Sequence, residues 1–261
     1  MSDHIRLTVS GGLLDVEFNR PERRNAITTQ MYEDLAEAFE QAEANPAISI
    51  IILRGSDTIF TAGNDLNDFR DNPPIAPEGV DIMDLPPFRF MRALLRSTKI
   101  VVAGVEGMAV GIGTTMLLHC DLVVAGQSSK FSLPFVNLGL LPEFGSSRLL
   151  PKIMGRQRAA RCLLLGEPFD APTALTIGLV SEVVEDGSVY SNLCKLAKRL
   201  LAQPPIALTK TKAITIPEAD EIEALIRYEA KEFSELLGGE EFAEASAAFF
   251  DKRTPHFKRA S

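Results

Sequence analysis

The sequence predicts an α/β fold: a parallel sheet followed by a helical C-terminal region. Three observations carry this. Residues 48–53, 99–105 and 122–125 are continuous aliphatic runs, as expected of strands covered on both faces. A helical pattern over 113–120 lies between the last two runs, and strand–helix–strand order implies parallel pairing. From Pro204-Pro205 onward, apolar residues recur only at helical spacing.

The chain opens with Ile5, Leu7 and Val9 alternating with polar residues, a Gly11-Gly12 turn, and Leu14, Val16 and Phe18 alternating again, which reads as a hairpin. Asn19-Arg20-Pro21 stops it. Thr28 or Thr29 caps a helix with Met31, Leu35, Ala38, Phe39 and Ala42 on one stripe, ended by Asn45-Pro46. Residues 71–87 hold Pro73, Pro74, Pro77, Pro86 and Pro87 and read as a loop, a candidate lid over a site. Near the C-terminus, Ile222, Leu225, Ile226, Tyr228, Phe233 and Leu236 supply the apolar positions of one helix. A final helix over 240–250 carries Phe242, Ala245, Phe249 and Phe250.

Composition excludes several classes. At 46% hydrophobic and 24% charged residues, the 261-residue chain is not a disordered one. Its 27 basic and 35 acidic residues leave a net charge of −8, against a nucleic-acid partner. No uncharged apolar stretch reaches the roughly 18 residues that a membrane span needs. Three unpaired cysteines (Cys120, Cys162, Cys194) read as reduced cytosolic thiols, and with only three histidines no metal cluster is expected. Neither Met1-Ser2-Asp3-His4 nor Lys258-Arg259-Ala260-Ser261 reads as a leader or organelle address, so the expected location is cytoplasmic.

Three segments have the composition of chemistry-bearing loops. Phe60-Thr61-Ala62-Gly63-Asn64-Asp65-Leu66 follows a buried strand, where glycine lets backbone N–H groups turn toward a ligand; a tight turn is the alternative. In the second, residues 107–115, Gly107, Gly111 and Gly113 lead into a helix. It is neither a dinucleotide fingerprint, since the third glycine position is Met116, nor a Walker A loop. The third runs from Phe131 to Gly145 and holds one carboxylate, Glu143, among Leu140, Leu141, Pro142 and Phe144. Apolar surroundings would raise its pKa and suit it to proton transfer; an exposed glutamate at a helix start is the alternative. His119 reads as a packed or capping histidine.

These segments, in this order, resemble the crotonase family, the enoyl-CoA hydratase/isomerase superfamily, over nearly the whole chain. Further stretches that look like its motifs are Phe18-Asn19-Arg20-Pro21-Glu22-Arg23-Arg24-Asn25-Ala26, Ala103-Gly104-Val105-Glu106-Gly107, Cys120-Asp121-Leu122 and Gly178-Leu179-Val180. The resemblance implies a spiral of ββα turns over 1–200, a helical trimerisation region over 201–261, and a homotrimer or hexamer. It implies an acyl-CoA thioester substrate, with coenzyme A part of the substrate and no separate cofactor. The backbone N–H groups of Asn64 and Ile112 would form an oxyanion hole beside Gly63 and Gly111, with Arg24 and Ala62 toward coenzyme A.

The two glutamates of the family's hydratases correspond here to Thr115 and Phe135, and neither can act as acid or base. Glu143, after Leu140-Leu141-Pro142, instead looks like the acid/base of the peroxisomal-type Δ3,Δ2-enoyl-CoA isomerase branch. The implied reaction is double-bond migration in fatty-acid oxidation. Another crotonase reaction, such as hydration, and an acyl-CoA-binding protein with little catalysis are the alternatives.

Overall fold

The structure, a computed structural model, describes residues 2–56, 58–215 and 218–258; Arg259-Ala260-Ser261 of the terminal tetrapeptide lies outside them. The opening hairpin forms as its alternation predicts: β1 (Ile5–Ser10) pairs antiparallel with β2 (Leu13–Phe18), Ile5 opposite Phe18. Leu14, Val16 and Phe18 are buried, but on β1 only Ile5 is, and Val9 is exposed. Helix α1 (Thr29–Ala44) is capped by Thr28, whose hydroxyl accepts from Met31 N at 3.3 Å.

Next come β3 (Ile50–Arg54), α2 (Leu66–Asp71), α3 (Pro86–Arg96) and β4 (Ile100–Val105). The region expected to be a loop to Pro87 is shorter than predicted. Pro86 and Pro87 occupy the first turn of α3, where a missing N–H costs nothing. Phe88, Phe90, Met91, Leu94 and Leu95 then bury one face.

Past β4, Gly107-Met108-Ala109-Val110 is more than a turn, because β5 (Met108–Val110) founds a second sheet. The helical pattern that follows is split between one α-turn, α4 (Ile112–Thr115), and a 3-10 turn over Met116–His119. The chain continues through β6 (Leu122–Gly126), β7 (Lys130–Ser132), α5 (Ser146–Met154), α6 (Arg156–Leu165), β8 (Phe169–Asp170), α7 (Ala171–Thr176), β9 (Glu182–Val184) and α8 (Val189–Leu201). Then come α9 (Pro205–Thr215), α10 (Ala219–Leu237) and α11 (Glu240–Phe250), the last with the predicted bounds.

Six strands form one sheet in the order β1-β2-β3-β4-β6-β9, parallel from β2 onward; β5-β7-β8 form the second. Alternation sends Ile51, Leu53, Val101 and Ala103 into the main core, and Ile50, Ile52, Ile100 and Val102 against Val189, Leu193 and Ala197 of α8. Both faces are therefore covered, as the aliphatic runs require. On α10 the inner stripe is Ile222, Ile226, Ala230, Phe233 and Leu237, while Tyr228 and Leu236 face outward; on α11, Phe249 and Phe250 are also exposed. Among the described residues no helix is long and apolar enough to cross a membrane.

Lys212 links the helical region to the sheet. Its ammonium donates to Asp121 Oδ2 at 2.7 Å and to Lys99 O at 2.6 Å, and the same carboxylate accepts from Val101 N. Removing one partner of a buried pair leaves the other charge uncompensated. Lys212→Met should therefore lower stability by about 1–3 kcal/mol in urea unfolding, Asp121 being partly solvated. An unchanged midpoint would show that the link carries no load.

Candidate active site

Two loops meet here because their backbones pair. Thr61 and Ala109 form a parallel bridge, in which Thr61 N donates to Met108 O at 3.0 Å and Val110 N to Thr61 O at 3.1 Å. Glycines allow the approach. A Cβ on Gly63 (φ +85°) would lie 2.7 Å from Val110 O, and one on Gly113 would lie 2.4 Å from Thr61 Cγ2. The chain on either side of Asn64 is tied to Ile27, through Ile27 N to Gly63 O and Asp65 N to Ile27 O. Asn64 N itself has no intramolecular acceptor among the described residues. Ile112 N opens α4, so no helical carbonyl is available to it. Two free amides thus sit just past glycines on two paired segments.

Asn25 welds the arginine-rich turn to the same place. Its buried side chain accepts from Arg20 N and donates to the carbonyls of Ile59 and Phe60, and its carbonyl accepts from Thr61 Oγ1. Arg24 is exposed in the left-handed region (φ +53°), and its carbonyl accepts from Ala62 N at 2.9 Å. Arg20 is engaged with Asp65 at 2.7 Å.

Arg24, Ala62, Gly63, Asn64, Gly111 and Phe135 all line one cleft of about 730 Å³. Phe233 of α10 and Phe249, Phe250 and Phe257 from the end of the chain line it too. Residues 71–87, the candidate lid, do not; that stretch is pinned to α10 by Ser234 Oγ on Pro74 O and by an Arg227–Asp81 pair. Ile112, Thr115 and Glu143 are not part of the cleft lining and are buried. Thr115 Oγ1 faces Ile112 O at 3.4 Å.

Glu143 is no exposed helix-start glutamate. It is 3% exposed, and its Oε1 has no hydrogen-bond partner. Burial, and then the charge of Glu229, push its carboxyl up to about 8. The next two residues turn sharply, Phe144 at φ +60° and Gly145 at φ +68°. His119 stacks on the Phe144 ring at 3.9 Å, and its Nε2–H donates to Phe144 O at 2.8 Å. Burial holds this imidazole down at about 4, so it is neutral and structural. Tyr32, fully buried, donates its hydroxyl to Asn64 Oδ1; burial and then the Glu143 charge raise its pKa. Asp65 and Asp68, the other carboxylates near the loop, have structural partners: Asp65 caps α2 and pairs with Arg20, and Asp68 accepts from Thr29 N and Oγ1. No group of three or more metal-ligating side chains occurs among the described residues.

Sequence reading missed Tyr32 and Glu229, and named Asn25 only as part of a motif without its bracing role. A signal for Glu229 existed: it occupies a core-facing turn of α10, between Ile226 and Phe233, where a carboxylate is out of place.

The spiralled sheets and helical end define a crotonase-type acyl-CoA enzyme. The family model described as enoyl-CoA hydratase/isomerase matches residues 8–260, and the chain belongs to that family. It is 34% identical to the 1,2-epoxyphenylacetyl-CoA isomerase of Escherichia coli, over 98% of this chain and 99% of that one. It is also 34% identical to human enoyl-CoA delta isomerase 2, over 80% of this chain and 53% of that one. The structure of Pseudomonas aeruginosa OdaA superposes with a TM-score of 0.90 at 40% identity, over 95% of this chain and 99% of that one.

Gly63 and Gly11 both have positive φ, but only at Gly63 does a Cβ meet backbone. Gly11→Ala should cost about 1–2 kcal/mol from conformation alone. Gly63→Ala should cost at least about 2 kcal/mol more, as overpacking adds to strain. Equal losses in urea titrations would deny the close approach.

Proposed function

We propose that this protein is a Δ3,Δ2-enoyl-CoA isomerase, with Glu143 as its single acid/base. The supporting observation is the state of that residue: a buried carboxyl with an unpartnered oxygen, while Thr115 and Phe135 stand where a hydratase would need carboxylates. Glu143 takes a proton from C2 of a 3-enoyl-CoA, and the electron pair moves into the thioester carbonyl. The Asn64 and Ile112 amides receive the resulting charge, and removal of one such donor typically costs about 10²–10³ in rate. The same carboxyl returns the proton at C4, which leaves the double bond at C2–C3.

Phe135, Leu138 and Leu140 give the cleft an apolar side that disfavours a water nucleophile. Thr115 packs behind Ile112, and Gly63 and Gly111 provide the backbone freedom. Arg24 reaches toward a coenzyme A phosphate, and Ala62 offers its carbonyl to the adenine. No cofactor beyond the substrate's own coenzyme A enters the scheme, and its place is in fatty-acid oxidation. The similarity to a human delta isomerase supports this reading. The family's description also names hydratases. Hydration of a 2-enoyl-CoA and isomerisation of a 3-enoyl-CoA, assayed side by side, separate the two activities, and a protein that only binds would turn over neither.

Glu143→Gln keeps the shape and removes the base. Turnover of a 3-enoyl-CoA should fall at least about 10²-fold, with acyl-CoA affinity little changed. The base form exists only above the folded pKa, so native kcat/KM should rise with pH up to about 8, and the variant should lack that limb. Stability runs the other way. The folded state keeps a proton that the unfolded chain releases near the ordinary value of 4.5, so this contribution is lost as pH climbs from there toward about 8. At pH 8 the Gln variant should therefore unfold at higher urea than the native protein. Near-native turnover in Glu143→Gln would place the acid/base elsewhere.

Tyr228, Leu236, Phe249 and Phe250 are exposed on the last two helices, and we place the trimer or hexamer contacts in that region. Light scattering should give at least three chain masses at micromolar concentration; a single chain mass would refute the assignment.

A further inference from the structure

The peptide unit between Phe144 and Gly145 is gripped on both sides by buried side chains. Its carbonyl accepts from His119 Nε2 at 2.8 Å, and its N–H donates to Glu229 Oε2 at 2.6 Å. Glu229 also accepts from Ser147 Oγ. It reaches this position from α10, more than eighty residues away in sequence, and is 2% exposed. Gly145 is the N-cap position of α5 and has no side chain to cap with, so Glu229 supplies the missing acceptor and a negative charge at that helix start. The gripped peptide follows Glu143 directly, and it is held with Phe144 in the left-handed region, a conformation that a phenylalanine keeps only when its surroundings enforce it.

We propose that Glu229 and His119 are positioning residues that clamp the Phe144–Gly145 peptide and thereby aim the Glu143 carboxyl. The inference rests on the reading of Glu143 as the acid/base. A buried carboxylate on the core stripe of α10 is costly, but position 145, left-handed and with Ile222 Cγ2 3.0 Å from where a Cβ would lie, has no room for a capping side chain of its own. A clamp from a distant helix does what a local cap cannot: it fixes the turn relative to the cleft wall, to which α10 contributes Phe233.

The same arrangement ties the chemistry of Glu143 to the charge on Glu229. The titratable groups around Glu143 are Glu229 from α10, the Tyr32 hydroxyl from α1 and the His119 imidazole from the turn after α4. Asp68 from α2 acts on Tyr32 in turn. Of these, only Glu229 presses on Glu143 by its charge, and it does so in the raising direction.

Three full-length variants test the clamp, with Glu143→Gln run in parallel on a 3-enoyl-CoA. Glu229→Ala removes the grip and should lower kcat at least about tenfold with KM within about twofold. Glu229→Gln keeps an acceptor for Gly145 N but loses the charge. It should recover most of kcat and move the acidic limb of kcat/KM to lower pH by at least about half a unit. His119→Phe keeps the ring stack and removes the donor to Phe144 O, so kcat should fall while the limb stays in place. A role in stability alone would lower the urea midpoint and leave kcat and the limb at native values. That result in all three variants, with Glu143→Gln inactive, overturns the clamp and spares the proposed function. An active Glu143→Gln overturns both. Should Glu229→Ala fail to fold, native kcat in His119→Phe is enough to reject the proposal.

Discussion

The site depends on one close approach: the loop segment at Thr61 lies against Ala109, nearer than any side chain on Gly63 or Gly113 would permit. Everything else is arranged around that contact. Asn25 reaches across to brace it, Ile27 holds the chain on both sides of Asn64, and the second sheet begins at β5 because the same segment must pair on its other edge with β7. Among the described residues the amides of Asn64 and Ile112 are left without intramolecular partners, whereas buried backbone donors are ordinarily paired. Such a pair is costly unless a ligand oxygen completes it, which is the role proposed here for the two amides.

Glu143 presents the same trade in a side chain. A carboxyl buried beside Phe144, unbonded at Oε1 and facing the charge of Glu229, makes no favourable contribution to folding once ionised. The fold offsets it with a well-covered parallel sheet and large buried aromatics, among them Phe18, Phe60, Phe90 and Phe131. Burial raises the carboxyl into the range that a proton carrier needs, so in the proposed role the destabilising feature and the useful one are the same atoms.

Much of this was legible from local pattern. The aliphatic runs, the Thr28 cap and the last helix are encoded by residues near one another in sequence. The glycines beside Asn64 and Ile112 are plain in the sequence, whereas the role of those two amides comes from the family resemblance. What escaped was what depends on distant partners or on very short elements. Strand β5 has three residues, and only pairing with β7 makes it a strand. Helix α3 was hidden by two prolines that suit a first turn as well as a loop. Tyr32 and Glu229 sit on helices whose stripes read as apolar, and their polar partners, Asn64 and Gly145, lie thirty and eighty residues away. The outward Phe249 and Phe250 satisfy a helical period without facing this chain's core, which a period alone cannot reveal.

In the proposed reaction one buried carboxyl, Glu143, carries a proton from C2 to C4 of the same substrate molecule. A 3-enoyl-CoA deuterated at C2, turned over in ordinary water and read by mass spectrometry and NMR, tests it most directly. The expected product is 2-enoyl-CoA with part of the label retained at C4, because a carboxyl shielded from solvent returns what it took before exchange is complete. Product that is a 3-hydroxyacyl-CoA, or 2-enoyl-CoA with every transferred label lost to water, would contradict it and assign the returning proton to solvent.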